Sequence, residues 1–495
     1  MIALSFTLLI PLLSSFLLAV FGQHRHAASF NVLASVAGFA SSTWLAWLVL
    51  QHGVIGGEAG QFYVDSFNVY LVALTALIGA TTSFFSKPYM EQERANGRLT
   101  TGRLRLYHAS YQAFLFTMQL ALTTNNLGVL WVALEAATLV TVLLVSLYRT
   151  PESIEAAWKY FILCGVGIAL ALFGTVLVYF AAEHVIADTD QALLWSVLAA
   201  HATELEPVVI TIGFVFLLVG YGTKVGLVPM HTWLPDAHSE GPTPMSAVLS
   251  GLLLNVALYA LVRVKILTDG ALSSGTSDHD PHLAGYLMMG FGIASFTVAS
   301  LLLHRQRDIK RLFSYSSIEH MGLITFAFGL GGPLATFGAL LHMTVHSLTK
   351  SAIFISVGHA SHIAGSQIIN NIRGLIQTQP AVGWSLLLGT TAIAGFPPFG
   401  VFTSEFLLLS ATMESQPWLT VPLVLGLLIA FAGLFRQLQP MVYGEAPEGQ
   451  TAVPANMWPV ALHLLLVLWL GISIPGFLAL WFNQATILIS GSSML

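Results

Sequence analysis

One lysine, Lys224, lies inside the apolar run that closes with VGYGTKVGLVPM, beside Gly222, Gly226 and Pro229. A charge at membrane depth is costly to keep and faces protein or internal water when it occurs. Non-helical backbone at that depth is tolerated only against protein or a water-filled cavity. Transporters use such broken helices as ion sites. A second charge, Glu135, lies near the middle of LGVLWVALEAATLVTVLLV. A carboxylate there must be paired, protonated or hydrated. If it meets Lys224, the two titrate as one coupled unit, and moving either charge changes the proton affinity of the other. The plainer alternative is a structural ion pair.

His342, His346 and Lys350 follow at intervals of four in LLHMTVHSLTK, so a helix places them on one stripe. His320, next to Glu319, opens another apolar run. A lone buried histidine usually packs, but this grouping suits a relay, because imidazole gives and takes protons near neutral pH. Two histidines at i and i+4 can also bind a metal, but no carboxylate stands beside them on that stripe, so no metal site is expected. His231 and His238 flank WLPDA, with Asp236 and Glu240 close by. They either gather protons at the inner mouth or belong to a rigid proline turn in which Asp236 caps a helix.

The elements that position these groups follow from composition. Of 495 residues, 56% are hydrophobic and 8% charged, where a soluble domain has about 25% charged. Nearly all of the chain falls into apolar runs of roughly 18–25 residues, the length that spans a bilayer as a helix. The expectation is an all-α polytopic membrane protein with about fourteen spans. The seventh covers 207–229, the eighth 243–267, the twelfth 381–413 and the last 456–482. The first run, Ile2–Phe21, lacks a basic head and reads as a retained span. The stretch QFYVDSFNVY has β character and reads as a surface hairpin. Cys164 is the one cysteine, so the chain cannot hold an iron–sulfur cluster or a paired-cysteine metal site by itself, and no cofactor is expected. The net charge of −5 comes with no basic arm, which argues against nucleic acid.

Thirteen of the 18 basic residues lie in loops that follow odd-numbered spans. The positive-inside rule then places both termini outside. The run HRQRDIKRLFS reads as an inner-face anchor, or as a docking surface for a peripheral arm. A second broken run, TTAIAGFPPFGVFTSEF, combines glycine, a proline pair and one ionisable residue, Glu405. It stands five spans after the first. An odd offset inverts it, which implies two five-helix repeats in opposite orientation. The expected units are a three-helix segment 1–106, a first repeat 107–268, an inverted repeat 282–443 and a C-terminal helix within 444–495.

These motifs carry a family resemblance. VGLVPMHTWLPDAHSEGPTPMSAVLSG, RDIKRLFSYSSIEHMGLITF and AGFPPFGVFTSEF are similar to the antiporter-like membrane subunits of respiratory complex I, membrane-bound hydrogenases and multisubunit cation/proton antiporters. The resemblance covers about 100–440. It implies fourteen core helices and a central hydrophilic axis. Glu135 matches the fifth-helix glutamate, Lys224 the lysine of the broken seventh helix, and Glu405 the ionisable residue of the broken twelfth. His320 and His346 match axis positions on the tenth and eleventh. One departure is Asn255, where complex I members commonly have lysine. Asparagine carries no proton charge, so water, or the eleventh-helix histidines with Lys350, would have to bridge there. SSIEHMG, HSLTKSAIF and the short C-terminus look most like the hydrogenase-4 type, component F.

The resemblance therefore implies a proton-translocating, non-redox subunit in a bacterial plasma membrane. Its partners would be other membrane subunits and a peripheral iron–sulfur or nickel–iron arm. The proton path would use Glu135, Lys224, His231, His238, His320, His342, His346, Lys350 and Glu405. Alternatives are the central pumping subunit of an NADH:quinone oxidoreductase, a cation/proton antiporter subunit, and a scaffold that anchors a peripheral enzyme.

Overall fold

The computed structural model describes residues 1–57, 60–273, 280–446 and 455–495. The described residues are almost wholly helical. An N-terminal trio comprises α1 (Ile2–Phe21), α2 (Ala27–His52) and α3 (Ser66–Ala95). Next come α4 (Thr101–Thr123), α5 (Leu127–Val145), α6 (Pro151–Ala182), a short α7 (Trp195–Ala200) and α8 (Pro207–Val225). Two short helices, α9 (Trp233–Glu240) and α10 (Thr243–Val248), lead through a π-helical turn, Leu249–Leu253, into α11 (Leu254–Leu272). Then follow α12 (Leu283–Leu303), α13 (Ile309–Leu330), α14 (Gly332–Ala364), a short α15 (Leu375–Thr378), α16 (Pro380–Ile393) and α17 (Gly400–Ser415). The chain ends with α18 (Pro417–Tyr443), α19 (Trp458–Ile472) and α20 (Gly476–Ser490). The segment 447–454, inside the expected C-terminal unit, lies outside the described residues.

The helix starts follow local chemistry. Asn126 accepts from the Gly128 and Val129 amides, Thr150 from Ser153, and Asp308 from Arg311. Such caps satisfy amides that the first helical turn leaves free. Pro151 and Pro207 stand at the first turn of their helices, where a missing N–H costs nothing.

Nine of the described helical units are long and apolar enough to cross a membrane: α1, α2, α3, α5 with its following turn, α6, α8, α10–α11 as one unit, α12 and α18. The other expected spans are helical as well, but of different character. α4, α13 and α14 are long yet more polar, because they carry the buried His, Gln, Glu and Lys side chains. The twelfth is split into α16 and α17, as its glycine and prolines imply. The last differs from expectation: α19 and α20 meet at a bend of 78° around Ser473–Pro475.

Two further expectations are corrected. QFYVDSFNVY forms no hairpin. Its strand character is spent on isolated antiparallel bridges, Ile55 with Val64 and Phe62 with Thr124. Asp65 then starts a helix, accepting from the Phe67 and Asn68 amides while Asn68 returns a bond to the Asp65 amide. This capping box outweighs the β-branched and aromatic run after it. Asp65 also pairs with Arg263 of α11 at 2.6 Å, with both side chains buried. The second correction concerns HRQRDIKRLFS. Lys310 is buried, not at the surface, and donates to the carbonyls of Ser239 and Gly241 at 3.2 and 2.8 Å. It thereby holds the turn between α9 and α10.

Candidate functional site

The site begins where α8 stops. Gly226 adopts φ +85°, a conformation cheap only for glycine. The Leu227 amide returns to the Gly222 carbonyl at 2.8 Å and the Gly226 amide to Thr223 at 3.2 Å. This Schellman-type closure ends the helix one residue after Lys224. The Trp233 indole donates to the Thr223 carbonyl at 2.8 Å and stacks on Tyr160, which fixes α9 against the helix end.

Lys224 is fully buried and points at α5. Its Nζ lies 3.5 Å from Glu135 Oε2 and 3.3 Å from the Leu134 carbonyl, and it also contacts the Thr138 hydroxyl. The Glu135 side chain is 21% exposed, on the outer flank of α5. The expected pairing of these two residues is thus present in the geometry.

A second cluster forms across α13, α14 and α17. His320 Nδ1 and His342 Nε2 share a hydrogen bond of 3.0 Å. His342 Nδ1 is 2.9 Å from the Ser404 hydroxyl. The His346 ring centroid is 5.6 Å from that of His320. All three imidazoles are buried, and the two ring nitrogens of His346 meet no hydrogen-bond partner among the described residues. Lys350, one turn on, donates to the Phe313 carbonyl at 3.1 Å and lies within electrostatic range of the buried Glu319.

Glu405 joins this cluster from the second break. Gly395 has φ +70°, and a methyl group on it would overlap Glu405 Oε2. The glycine therefore both ends α16 and leaves room for the carboxylate. Ligand atoms of His320, His342 and Glu405 lie within 4.8 Å of one another. This overturns the reason for discounting a metal, since a carboxylate does stand beside the histidines, supplied by another helix. A metal would have to replace the His320–His342 hydrogen bond. On its far side Glu405 borders an apolar cleft of about 420 Å³ among Phe396, Phe402 and Phe431.

Small polar side chains occupy the space between the clusters. Ser250 of the π turn bonds Ser317 of α13 at 2.8 Å. Asn255 donates to Ser347 at 2.7 Å, the residue next to His346. The Val228 amide donates to Ser295 of α12 at 2.9 Å. π turns are rare overall but frequent at functional sites.

His231 and His238 lie outside both hydrogen-bonded clusters, with His238 near Lys350 of the second. His231 is nearly buried beside Tyr315, and burial holds its pKa below the usual value. His238 is fully enclosed, its ring stacked on Phe354 at 4.9 Å. Burial first, then the charges of Lys310 and Lys350, push it down to about 3. Burial raises the neighbouring Glu240 carboxyl. Asp236 caps no helix; it pairs instead with Arg311 at 2.8 Å and Lys159 at 3.3 Å.

Thr138, Ser404 and the serines of the seam carry no signal in the sequence, whereas Glu319 and Asn255 are visible there only as a neighbour of His320 and as a departure from lysine. Serine and threonine are too common in membrane helices to stand out.

Comparison with known proteins gives a consistent result. A family profile described as NADH:quinone oxidoreductase/Mrp antiporter, transmembrane, matches residues 124–430. A protein of Methylacidiphilum infernorum described as a hydrogenase-4 component F homolog is 48% identical over 485 residues, which is 97% of this chain and 98% of that one. A chain of the membrane-bound sulfane sulfur reductase, an archaeal respiratory membrane complex, superposes with a TM-score of 0.87 at 22% identity, over 98% of this chain and 97% of that one. A chain of respiratory complex I from Thermus thermophilus gives 0.81 at 20% identity, over 99% of each. At those identities the two structures speak for the fold alone.

Proposed function

The chain belongs to the NADH:quinone oxidoreductase/Mrp antiporter transmembrane family, and we propose that it is the proton-translocating, non-redox membrane subunit of a complex I-like oxidoreductase of the hydrogenase-4 type. The observation that carries this reading is the set of ionisable groups within the helices, from the half-buried Glu135 and buried Lys224 to the buried His320, His342, His346 and Glu405. Buried charges and imidazoles in a membrane interior are expensive, and that expense argues for use. The near-full-length likeness to a hydrogenase-4 component F homolog supports the choice of branch.

In this reading the partner subunits carry the electron transfer. Their motion shifts Glu135 away from Lys224. Losing the carboxylate lowers the proton affinity of Lys224, because its charge is no longer stabilised. The proton passes along the Ser250–Ser317 and Asn255–Ser347 seam to the histidines. Asn255 takes part only by orienting Ser347. His320 and His342 pass the proton through their shared bond, Ser404 holds the second nitrogen of His342, and Glu405 receives the proton before its outward release. His231, His238, Glu240 and Lys350 serve the inner side. Waters bridge the buried polar atoms that find no protein partner, such as the His346 nitrogens and Glu405 Oε1.

The matching breaks support an inverted-repeat architecture. Gly226 precedes Pro229 by three residues and Gly395 precedes Pro398 by three, and both glycines have positive φ. On this basis the chain crosses the membrane fourteen times, with repeats 107–268 and 282–443 and both termini outside. Isolation of the intact complex in mild detergent, with identification of every subunit, tests the assignment. A nickel–iron hydrogenase or formate dehydrogenase arm is the expected companion. Quinone-binding and NADH-oxidising subunits would instead assign the chain to a respiratory complex I. Small membrane subunits without any iron–sulfur protein would overturn the redox-driven reading in favour of an antiporter.

A further inference from the structure

Three arginines gather at one edge of the bundle, away from the proton path. Arg149 lies in the turn between α5 and α6, and it lines two adjoining surface clefts at once. The first cleft, about 460 Å³, runs along α5 and α6 past Ile154, Trp158 and Phe161. The second, about 570 Å³, lies between α1 and α4 and contains Arg103, Arg105 and Ala19. Among the described residues, none of the three arginines has a carboxylate within 4 Å, whereas Arg98, Arg263 and Arg311 each have one. Arg103 donates to the Tyr148 carbonyl at 3.2 Å, which ties the two clefts together.

The backbone adds an independent observation. Arg149 has φ +54°, and it is the one non-glycine residue with positive φ among the described residues. A left-handed residue after a helix end is ordinarily glycine, which meets no Cβ penalty there. An arginine at this position carries a backbone cost that glycine would avoid. The flanks of both clefts are apolar and face outward, with Trp158 59%, Ile162 56%, Phe16 65% and Val20 65% exposed. Apolar helix flanks below a ring of unpaired cations match an amphiphile with an anionic head and acyl chains. Trp158 stands where interfacial tryptophan is favoured.

We propose that Arg103, Arg105 and Arg149 form a binding site for an anionic phospholipid. The headgroup phosphate sits against Arg149, and the acyl chains run down the α5–α6 and α1–α4 clefts. A headgroup with two phosphates, as in a diphosphatidylglycerol, reaches all three arginines and binds best. Basic pockets between membrane helices recognise such headgroups through charge and hydrogen bonding.

The test uses the whole purified complex and native mass spectrometry of the lipids retained after detergent washing. Arg149→Gly suits the left-handed backbone, so it removes the side chain without disturbing the turn. The wild-type complex is expected to keep one more anionic phospholipid than the Arg149→Gly complex. Each arginine removed should weaken retention roughly five-fold. Reconstitution into discs of pure phosphatidylcholine should lower thermal stability, and added diphosphatidylglycerol should restore it for the wild type but not for Arg103→Gln/Arg105→Gln/Arg149→Gly. Equal lipid retention by wild type and variant would overturn the site. So would equal retention of phosphatidylethanolamine, or loss of a partner subunit with lipid content unchanged.

Discussion

Lys224 and Glu135 form an ion pair in which one partner is enclosed and the other is not. The Nζ–Oε2 distance is 3.5 Å, the lysine side chain has no exposed surface and the glutamate side chain is 21% exposed. The glutamate can therefore respond to whatever adjoins α5, while the lysine is enclosed among Glu135, Thr138 and the Leu134 carbonyl. Removing the two charges should have unequal effects. Glu135→Gln leaves a buried cation without its counter-charge, at a cost of up to about 3–5 kcal/mol. Lys224→Ala leaves a carboxylate that this chain encloses only in part. Thermal unfolding of the assembled complex should show Glu135→Gln as the more damaging change, with Glu135→Gln/Lys224→Ala recovering most of the loss. The reverse order would contradict the asymmetry.

The hydrogen bond between His320 and His342 makes a graded prediction. His342→Ala breaks the bond to His320 and the one to Ser404. Proton translocation should fall roughly ten-fold or more, since a positioned acid–base group is lost. Ser404→Ala removes only the orienting partner and should cost less, a few-fold at most in the same proteoliposome assay. Equal losses would mean that Ser404, not His342, limits transfer.

Gly395→Ala tests the second break. The new methyl group must take up φ +70° and displace Glu405 Oε2. The backbone cost alone is about 1–2 kcal/mol, which calorimetry of the assembled complex can register. Translocation should fall to the level of Glu405→Gln, because the carboxylate no longer reaches the histidines. Normal translocation in Gly395→Ala would remove Glu405 from the path.

His238 gives a pH prediction. Its folded pKa, pushed down to about 3, compares with 6.5 for the ordinary group. Between those values the unfolded chain binds a proton that the folded chain refuses. Stability from this group therefore rises with pH across the window and is lost as pH falls below about 6.5. His238→Phe keeps an aromatic ring against Phe354 and does not titrate. Melting curves of the assembled complex from pH 7.5 down to 5 should fall less steeply for His238→Phe than for the wild type. Parallel curves would count against a neutral, enclosed His238.

Much of this was legible in residue type and spacing. Lys224 and Glu135 announced themselves as charges in apolar runs, and the His342–His346–Lys350 stripe follows from helical periodicity. Both breaks were visible as glycine and proline inside apolar segments. What spacing cannot convey is which helices face each other. Glu405 is 63 positions from His342, and nothing periodic links them; their meeting depends on Gly395 making room. The π turn at Leu249–Leu253 has no composition of its own, since leucine, serine and glycine suit an ordinary helix equally well. The aromatic run around Asp65 suggests a hairpin, whereas in the fold the capping chemistry of Asp65 and Asn68 wins. Of the two roles open to Asp236 in the sequence, capping is not the one the fold uses: Arg311 and Lys159, on distant segments, hold it instead.

Proton movement through Lys224 underlies every step proposed for this chain. The most direct measurement is proton uptake by proteoliposomes that contain the whole complex, driven by its own electron-transfer reaction, with wild type and Lys224→Ala compared at equal assembly. The variant should assemble, keep its subunits and translocate essentially no protons through this chain. Undiminished translocation in Lys224→Ala would contradict proton movement through this lysine.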